Sequence, residues 1–160
     1  MISLIAAIGL NNEIGKDGDL IWRIPGDIEF FKNTTMGHVV VMGYNTYKSL
    51  PGPLRNRKMI VLSRSNYSSN VEIVRDYKEI IDKYENSNDE VFVIGGASLY
   101  KEYLKYAKNM YLTLIDEKCD DADTFFPVFD LNDWNDKMLS EDEYNGVKYK
   151  IYKFTRKSNI

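Results

Sequence analysis

Asp27 is the acidic residue whose sequence surroundings point most directly to chemistry. Pro25 suits the first turn of a helix, because the N–H that proline lacks would be unpaired there. Phe30, Phe31 and Thr34 follow Asp27 at three, four and seven residues. In a helix this spacing places them on the same face as the carboxylate. The pattern therefore predicts an acid on the side of the helix that packs against the rest of the protein.

Two interpretations of Asp27 follow from its position. Its carboxylate could stabilise the helix dipole from the first turn. Alternatively, the carboxylate lies in an apolar cleft and binds a cationic or donor-rich ligand. Burying a carboxylate costs several kcal/mol unless a partner compensates for the lost water. The residue types alone leave both interpretations open.

The composition is that of an ordinary globular protein. The chain has 160 residues, 44% hydrophobic and 28% charged, which indicates one domain over residues 1–160. A formal net charge of -3 argues against nucleic acid as a partner. No apolar run is long enough to span a bilayer, and residues 1–4 lack the basic start of a secretory signal. A single cysteine, Cys119, excludes an intrachain disulfide and fits a reducing compartment. We therefore expect a cytoplasmic protein without membrane partners.

The sequence gives no pattern typical of a metal site. His38 is the single histidine, and it opens an apolar run. The acidic residues between 116 and 123 lack the ordered spacing of a calcium-binding loop. We expect no bound metal.

Short apolar runs alternate with helical patterns along the chain. Strands are predicted at 2–8, 38–43, 59–63, 71–74, 90–94, 110–115 and 147–154, and helices after Asp27, before Leu50, and at 77–84 and 97–107. Residues 9–24 are predicted to form a long glycine-containing loop. Strands separated by helices favour right-handed crossovers and a mostly parallel sheet. The strict alternation in 147–154 predicts an antiparallel strand near an edge.

Ligands of parallel sheets bind at the carboxyl ends of the strands. This rule places several residues along one rim: Ala7, Gly43, Ser63, Arg64, Gly95, Gly96 and Thr113. Glycines before a helix start allow a phosphate to approach the backbone closely. Neither of the two common glycine-rich nucleotide-binding fingerprints is present.

Five segments, in order, carry a resemblance to a known family. They are IGKDGDLIWRIPGDIEFFK, VVVMGYNTYKSLPGPLRNRK, VFVIGGASLYKEYL, MYLTLI and DTFFP. The chain resembles dihydrofolate reductase over essentially its whole length. The resemblance implies an α/β domain with a central, mostly parallel, eight-stranded mixed sheet and helices on both faces. It also implies hydride transfer from NADPH to 7,8-dihydrofolate, a role in one-carbon and thymidylate metabolism, and binding of antifolates. No extra interface element is evident in the sequence, so we expect a monomer.

The same resemblance implies roles for individual residues. Asp27 would bind the pterin and support protonation of its N5 through water, while Thr113 braces the carboxylate and Trp22 positions water. Arg57 would pair with the α-carboxylate of the glutamate tail. Leu20 and Tyr100 complete the catalytic set. The other implied substrate contacts are Ile5, Ala6, Ala7, Ile28, Phe31, Leu50, Leu54 and Ile94.

The resemblance implies three cofactor-binding regions: a loop that closes over the nicotinamide, a glycine pair near the pyrophosphate, and residues that line the adenosine. Loop 9–24 corresponds to the lid, with Asp123 holding it near Gly15, and the Gly95–Gly96 peptide is cis in this family. The implied contacts are Ala7, Ile14, Gly15, Lys16, Gly18, Asp19, Leu20, Gly43, Tyr44, Asn45, Thr46, Leu62, Ser63, Arg64, Ile94, Gly95, Gly96, Ala97, Ser98, Leu99 and Tyr100.

Two positions depart from the family pattern in a way that concerns the cofactor. Tyr44 and Ser98 stand where many relatives carry a basic residue. Arg64 is then the best remaining cation for the 2′-phosphate, followed by Lys48. We predict that NADPH is preferred but that NADH is discriminated against less strongly than in relatives. Ile21 also replaces a proline that usually precedes the tryptophan of the lid.

Two other functions fit parts of the pattern. One is reduction of other pterins, or of the pyrimidine and riboflavin-precursor substrates handled by proteins of the same fold. Arg57 argues against it, because its partner carboxylate belongs to a folate. The other is a binding module without catalysis, against which the set Asp27, Trp22 and Thr113 argues.

Overall fold

The computed structural model describes residues 1–64 and 71–158. The strands are β1 (Ile2–Ile8), β2 (Glu13–Lys16), β3 (Asp19–Leu20), β4 (Val39–Gly43), β5 (Lys58–Leu62), β6 (Glu72–Val74), β7 (Val91–Gly95), β8 (Ala107–Ile115), β9 (Thr124–Phe125), β10 (Trp134–Tyr144) and β11 (Val147–Arg156). The α-helices are α1 (Pro25–Thr35), α2 (Tyr44–Ser49), α3 (Tyr77–Tyr84) and α4 (Ala97–Tyr103), with 3₁₀ turns at Leu104–Tyr106 and Leu131–Asp133.

The central sheet has eight strands in the order β10-β11-β8-β1-β7-β4-β5-β6. Neighbours from β8 to β6 run parallel, whereas β11 pairs antiparallel with both β8 and β10. The carboxyl ends of β1, β8, β7 and β4 therefore meet at one edge of the sheet. This confirms the mixed, mostly parallel sheet expected from the sequence.

Alternate residues of the central strands pack against helices on opposite faces. Leu4 of β1 belongs to a buried cluster with Ile80 of α3 and Tyr103 of α4. Its neighbour Ile5 belongs to another cluster, which includes Phe31 of α1. The period of two along the strand thus buries both faces of the sheet. The predicted helices on both faces are confirmed.

The prediction of an irregular loop at 9–24 was wrong in part. β2 and β3 lie within it and form a small second sheet in the order β3-β2-β9. β9 comes from Thr124–Phe125, about a hundred residues further along the chain. A strand of four residues paired with so distant a partner leaves little periodicity for a sequence pattern to show.

The prediction of a helix over 97–107 was also too long. α4 ends at Tyr103, and β8 begins already at Ala107, where it pairs with Ile2. Arg156 donates hydrogen bonds to the carbonyl oxygens of Ala107 (2.9 Å) and Leu104 (2.5 Å). These bonds hold the chain in the turn that enters the sheet.

Strand β10 was not predicted, because most of its side chains are polar and all those after Trp134 are exposed, which leaves no alternation of apolar and polar residues. The turn that joins it to β11 carries a clear signal, however. Asn145 and Gly146 have φ values of 51° and 81°. Two central residues with positive φ are typical of the tight turn that joins antiparallel strands, and Asn-Gly favours it.

Two smaller observations complete the fold. Trp134 is buried, and the guanidinium of Arg156 lies over its ring. No helix in the two described ranges is long and apolar enough to cross a membrane.

Candidate active site

Asp27 lies at the start of α1, and its carboxylate points to the edge where β1 and β8 end. Thr113 of β8, which pairs with Ala7 of β1, donates a hydrogen bond from Oγ1 to Asp27 Oδ1 at 2.5 Å. Burial raises the pKa of Asp27, and the bond from Thr113 opposes this only in part. The contact with a distant strand favours the interpretation in which Asp27 lies in a cleft.

Tyr100 of α4 is a buried hydrogen-bond donor beside this carboxylate. Its hydroxyl donates to the carbonyl oxygen of Ile5 at 2.7 Å. Burial raises the pKa of Tyr100, and the negative charge of Asp27 raises it further. Tyr100 therefore stays protonated at neutral pH and positions α4 against β1.

Gly43 and Gly95 are the last residues of β4 and β7, and they lie at the edge of the sheet where these parallel strands end. A Cβ placed on Gly43 would lie 3.8 Å from Leu99 Cδ1 and 3.9 Å from Gly96 N, so the two strand ends are adjacent. The Gly95–Gly96 peptide is cis, as the resemblance implies. Gly95 has a φ of +142°, and a Cβ there would lie 3.1 Å from Thr46 Oγ1. Only glycine suits that backbone conformation.

Other implied cofactor positions lie in the first turns of two helices and at the end of a strand. Ala97, Ser98 and Leu99 form the first turn of α4, whereas Tyr44, Asn45 and Thr46 form that of α2. Leu62 is the last residue of β5, Ser63 and Arg64 follow it, and Arg64 is exposed. The ammonium group of Lys48 lies 5.0 Å from the ring centre of Tyr44.

Loop 9–24 has a buried base and an exposed tip. Ile14 and Gly15 are buried, whereas residues 17–20 are exposed, including 59% of the Leu20 side chain. Lys16 pairs with Asp121 at 3.0 Å, and Asp19 forms a short ion pair with Arg23. Trp22, like Ala7 and Phe30, packs against a buried cluster that includes Ile24 and Ile115.

Asp123 contacts this loop as the sequence predicted. Its Oδ2 accepts a hydrogen bond from Asp17 N at 2.9 Å, and its own N–H donates to the Gly15 carbonyl oxygen at 3.1 Å. The bonds that its carboxylate accepts from Asp17 N and from the Thr124 hydroxyl lower the pKa of Asp123. The loop is therefore held to the acidic turn, which is defined here as residues 116–123.

The substrate positions form an apolar wall next to Asp27. One buried cluster brings together Ile5, Phe31, Leu50, Leu54 and Ile94. Ala6 packs against the cluster on the opposite face of the sheet, and Ile28 is 52% exposed at the start of α1. At the far end of the wall, Arg57 Nε is buried without a hydrogen-bond partner among the described residues. Burial lowers the pKa of Arg57, because it removes water from the guanidinium. An anion bound there would replace that water and accept a hydrogen bond from Nε.

The sequence interpretation missed two residues at the base of loop 9–24. Glu13 is 1% exposed, and its carboxylate accepts backbone hydrogen bonds. Gly9 lies so close to Trp22 that a Cβ on it would be 2.4 Å from Trp22 Cη2. Glu13 stands directly before Ile14 and Gly15, but a single acid at that place gave no signal of burial.

The chain matches the family model for dihydrofolate reductase over residues 1–156. It is 37% identical to the dihydrofolate reductase of Bacillus subtilis, over 99% of this chain and 96% of the relative. It is 39% identical to that of Haemophilus influenzae, over 97% and 98%. A solved structure of dihydrofolate reductase from Enterococcus faecalis, complexed with NADP(H) and RAB-propyl, superposes with a TM-score of 0.86, at 29% identity and coverage of 99% and 97%. The chain belongs to the dihydrofolate reductase family.

Proposed function

We propose that this protein reduces 7,8-dihydrofolate to tetrahydrofolate with NADPH, and thereby serves one-carbon and thymidylate metabolism. Membership of the family supports the activity. The observation that carries it is the Asp27 carboxylate, which accepts a hydrogen bond from Thr113 of β8 and whose pKa is raised by burial. Among the described residues, none donates a hydrogen bond to Asp27 Oδ2. That oxygen can therefore accept bonds from a ligand.

Asp27 would bind the pterin through two charge-assisted hydrogen bonds, to its 2-amino group and the adjacent ring nitrogen. Thr113 keeps the carboxylate in place for this pairing. Trp22 lies in the same apolar cluster as Ala7, whose β8 partner is Thr113, and would position the water that carries a proton to N5. Tyr100 remains a neutral donor and does not exchange protons at neutral pH.

The substrate tail would extend along the apolar wall to Arg57. Leu50 and Leu54 line this path. The unpaired Nε of Arg57 would bind the α-carboxylate of the glutamate tail. An antifolate with a similar donor pattern would use the same contacts with Asp27.

The described residues fit the cofactor. NADPH supplies the hydride when it is bound. Gly43 and Gly96 have no side chain that would keep a pyrophosphate from their backbone, and Thr46 Oγ1 lies beside Gly95 and Gly96. Loop 9–24 would cover the nicotinamide and exclude water.

Recognition of the 2′-phosphate would differ from that in relatives. The ring of Tyr44 adds no charge, although it lies under the ammonium group of Lys48. Arg64 is exposed at the end of β5 and would provide the main positive charge. Arg64→Ala should weaken NADPH binding far more than NADH binding. Equal losses for the two cofactors would remove Arg64 from this role.

The direct test is the loss of nicotinamide absorbance when the purified protein meets dihydrofolate, with NADPH and NADH in parallel. Turnover with NADPH is expected, together with a smaller but measurable rate with NADH. A folded protein that binds an antifolate without turnover would instead be a non-catalytic binding module. Absence of both turnover and binding would contradict the proposed ligand.

Three further statements remain predictions. We expect residues 1–160 to form one domain, the protein to be a monomer, and its location to be cytoplasmic. Among the described residues, no group of three or more histidine, cysteine, aspartate or glutamate side chains could hold a metal ion.

A further inference from the structure

Glu13 is a buried acid that the proposed chemistry does not use. Its side chain is 1% exposed, and it is the one charged residue among the buried polar side chains of the described ranges. Burial of a carboxylate is unfavourable by several kcal/mol unless hydrogen bonds replace the lost water. The partners of Glu13 therefore indicate what its burial achieves.

Both carboxylate oxygens accept hydrogen bonds from backbone amides in different segments. Oε1 accepts from Asn11 N at 2.7 Å, and Oε2 accepts from Cys119 N at 2.6 Å. Burial alone would raise the pKa of Glu13, but these bonds outweigh it and lower the pKa. Glu13 is therefore ionised at neutral pH and joins the start of loop 9–24 to the acidic turn.

Gly9 lies between the Glu13 carboxylate and the active-site residue Trp22. A Cβ on Gly9 would lie 2.4 Å from Trp22 Cη2, 2.6 Å from Glu13 Oε1 and 2.9 Å from the carbonyl oxygen of Glu117. Gly9 thus fills the space between the Trp22 ring and the Glu13 carboxylate. A displacement of Glu13 would therefore move Gly9, which the Trp22 ring contacts.

Backbone hydrogen bonds close the same region into one unit. Gly9 N donates to the Glu13 carbonyl oxygen at 3.0 Å, and Leu10 N donates to that of Glu117 at 2.9 Å. Phe126 N donates to the Asn12 carbonyl oxygen at 2.8 Å. In contrast, residues 17–20 at the tip of the loop are exposed. The base of the loop is fixed, and the tip is tethered mainly through Asp123.

We propose that Glu13 is a positioning residue that fixes the base of loop 9–24 against the acidic turn and so sets where the loop and Trp22 meet the nicotinamide end of the cofactor. The inference rests on the proposed function, because it concerns the cofactor of that reaction. Asp123 tethers the tip, whereas Glu13 holds the base through separate amides. The two contacts therefore act on different parts of the same loop.

The test separates the nicotinamide end of the cofactor from its adenosine end. Dissociation constants are measured for NADPH and for adenosine 2′,5′-bisphosphate, which lacks the nicotinamide, with the wild type and with Glu13→Gln. The substitution keeps the shape but removes the charge and one acceptor. NADPH affinity should fall about tenfold, because hydrogen bonds to a charged group are lost. Affinity for the bisphosphate should stay within about twofold.

Glu117→Gln is the matched control, because it removes the same charge from an exposed side chain in the acidic turn. It should leave both dissociation constants unchanged. Equal weakening of NADPH and the bisphosphate by Glu13→Gln would overturn the proposal, since that result indicates general destabilisation. Unchanged NADPH affinity in a folded Glu13→Gln protein would overturn it as well.

Amide hydrogen exchange of the wild type provides a measurement that does not depend on a variant that folds. Asn11 and Cys119 amides should exchange slowly, and NADPH should slow both further. Fast exchange at either amide, or no response to NADPH, would contradict the proposal. Absence of dihydrofolate turnover in the wild type would instead refute only the proposed function, since the binding and exchange results do not require turnover.

Discussion

Asp27 and Glu13 are two acids in water-poor surroundings, one at the rim of the sheet and one at the base of loop 9–24. Asp27 accepts one hydroxyl hydrogen bond from Thr113, and burial raises its pKa. Glu13 accepts amide bonds on both oxygens, and its pKa is lowered. Burial acts to raise the pKa of both groups; the amide bonds outweigh it at Glu13, whereas the single bond from Thr113 does not outweigh it at Asp27.

The difference separates a binding group from a structural one. A carboxylate with an unfilled oxygen can receive the donors of a ligand, as we propose for Asp27. A carboxylate whose two oxygens are filled by backbone amides can only fix the main chain, as at Glu13. Substitutions in the two regions should accordingly affect different measurements.

The largest effect is expected for Asp27→Asn. Loss of the charge that pairs with the pterin and supports proton transfer should lower turnover at neutral pH by about 10²–10³-fold. A pH–rate profile of the variant checks this. Glu29→Gln, an exposed acid on the same helix, is the control and should keep the wild-type rate. Wild-type rates in Asp27→Asn would end the proposed role.

Gly9→Ala should have the next largest effect, because it forces the loop region apart. The new methyl group would overlap the Trp22 ring, the Glu13 carboxylate and a backbone oxygen. We expect about a tenfold loss in kcat/KM from misplacement of the loop, and destabilisation of about 1–3 kcal/mol from overpacking. Steady-state kinetics measures the loss in kcat/KM, and urea unfolding measures the loss of stability.

Gly52→Ala is the control for this substitution, because nothing lies within 4 Å of the position that its Cβ would occupy. It should leave kinetics and unfolding unchanged. A Gly9→Ala protein indistinguishable from Gly52→Ala would show that Trp22 does not depend on the base of the loop.

Asp123→Ala should have a smaller effect, since it removes side-chain bonds to Asp17 N and Thr124 and leaves the base of the loop intact. We expect hydride transfer and NADPH affinity to fall by roughly threefold to tenfold, as for a hydrogen bond of about 1 kcal/mol. Stopped-flow measurement of hydride transfer tests this. Asp120→Ala, an exposed acid of the same turn, should have no effect. Unchanged rates in Asp123→Ala would refute the tether.

The smallest effects concern the stability of the ligand-free protein. Substitution of Asp27 and of Glu13 should change the free energy of unfolding in opposite directions. The pKa of Asp27 is raised, so its contribution is full below the ordinary carboxyl value, about 3.9, and is lost as pH rises through the folded value. Asp27→Asn should therefore be more stable than the wild type at pH 7, with the difference vanishing near pH 3.

The pKa of Glu13 is lowered, so its contribution is present above the ordinary value, about 4.3, and is lost as pH falls through the folded value. Glu13→Gln should be less stable than the wild type at pH 7, and the difference should shrink in acid. Urea unfolding from pH 3 to pH 7 compares both variants. If both substitutions changed the free energy of unfolding at pH 7 in the same direction, the distinction between the two regions would be contradicted.

The sequence predicted the region around Asp27 far better than the region around Glu13. In the helix after Pro25, residues of the packed face recur at helical spacing, and the apolar strands are long enough to be recognised. The sheet and the burial of Asp27 could therefore be predicted from local patterns. Thr113 could be placed on the same rim because strand ends of a parallel sheet share an edge.

The small sheet and the burial of Glu13 depend on pairing between segments about a hundred residues apart. No periodicity within four residues records such a pairing. The direction of the Asp27 pKa likewise required the packed structure, since burial and hydrogen bonding act in opposite directions.

The position of β1 in the sheet has a consequence for synthesis of the protein. β1 lies between β7 and β8, and Ile2 pairs with both Val91 and Ala107. At an elongation rate of about 5–20 residues per second, this strand waits roughly 5–20 seconds on the ribosome before either neighbour exists. During that interval an apolar strand has both edges unpaired. The nascent chain should therefore be most prone to aggregation, and most dependent on chaperones, before β7 emerges.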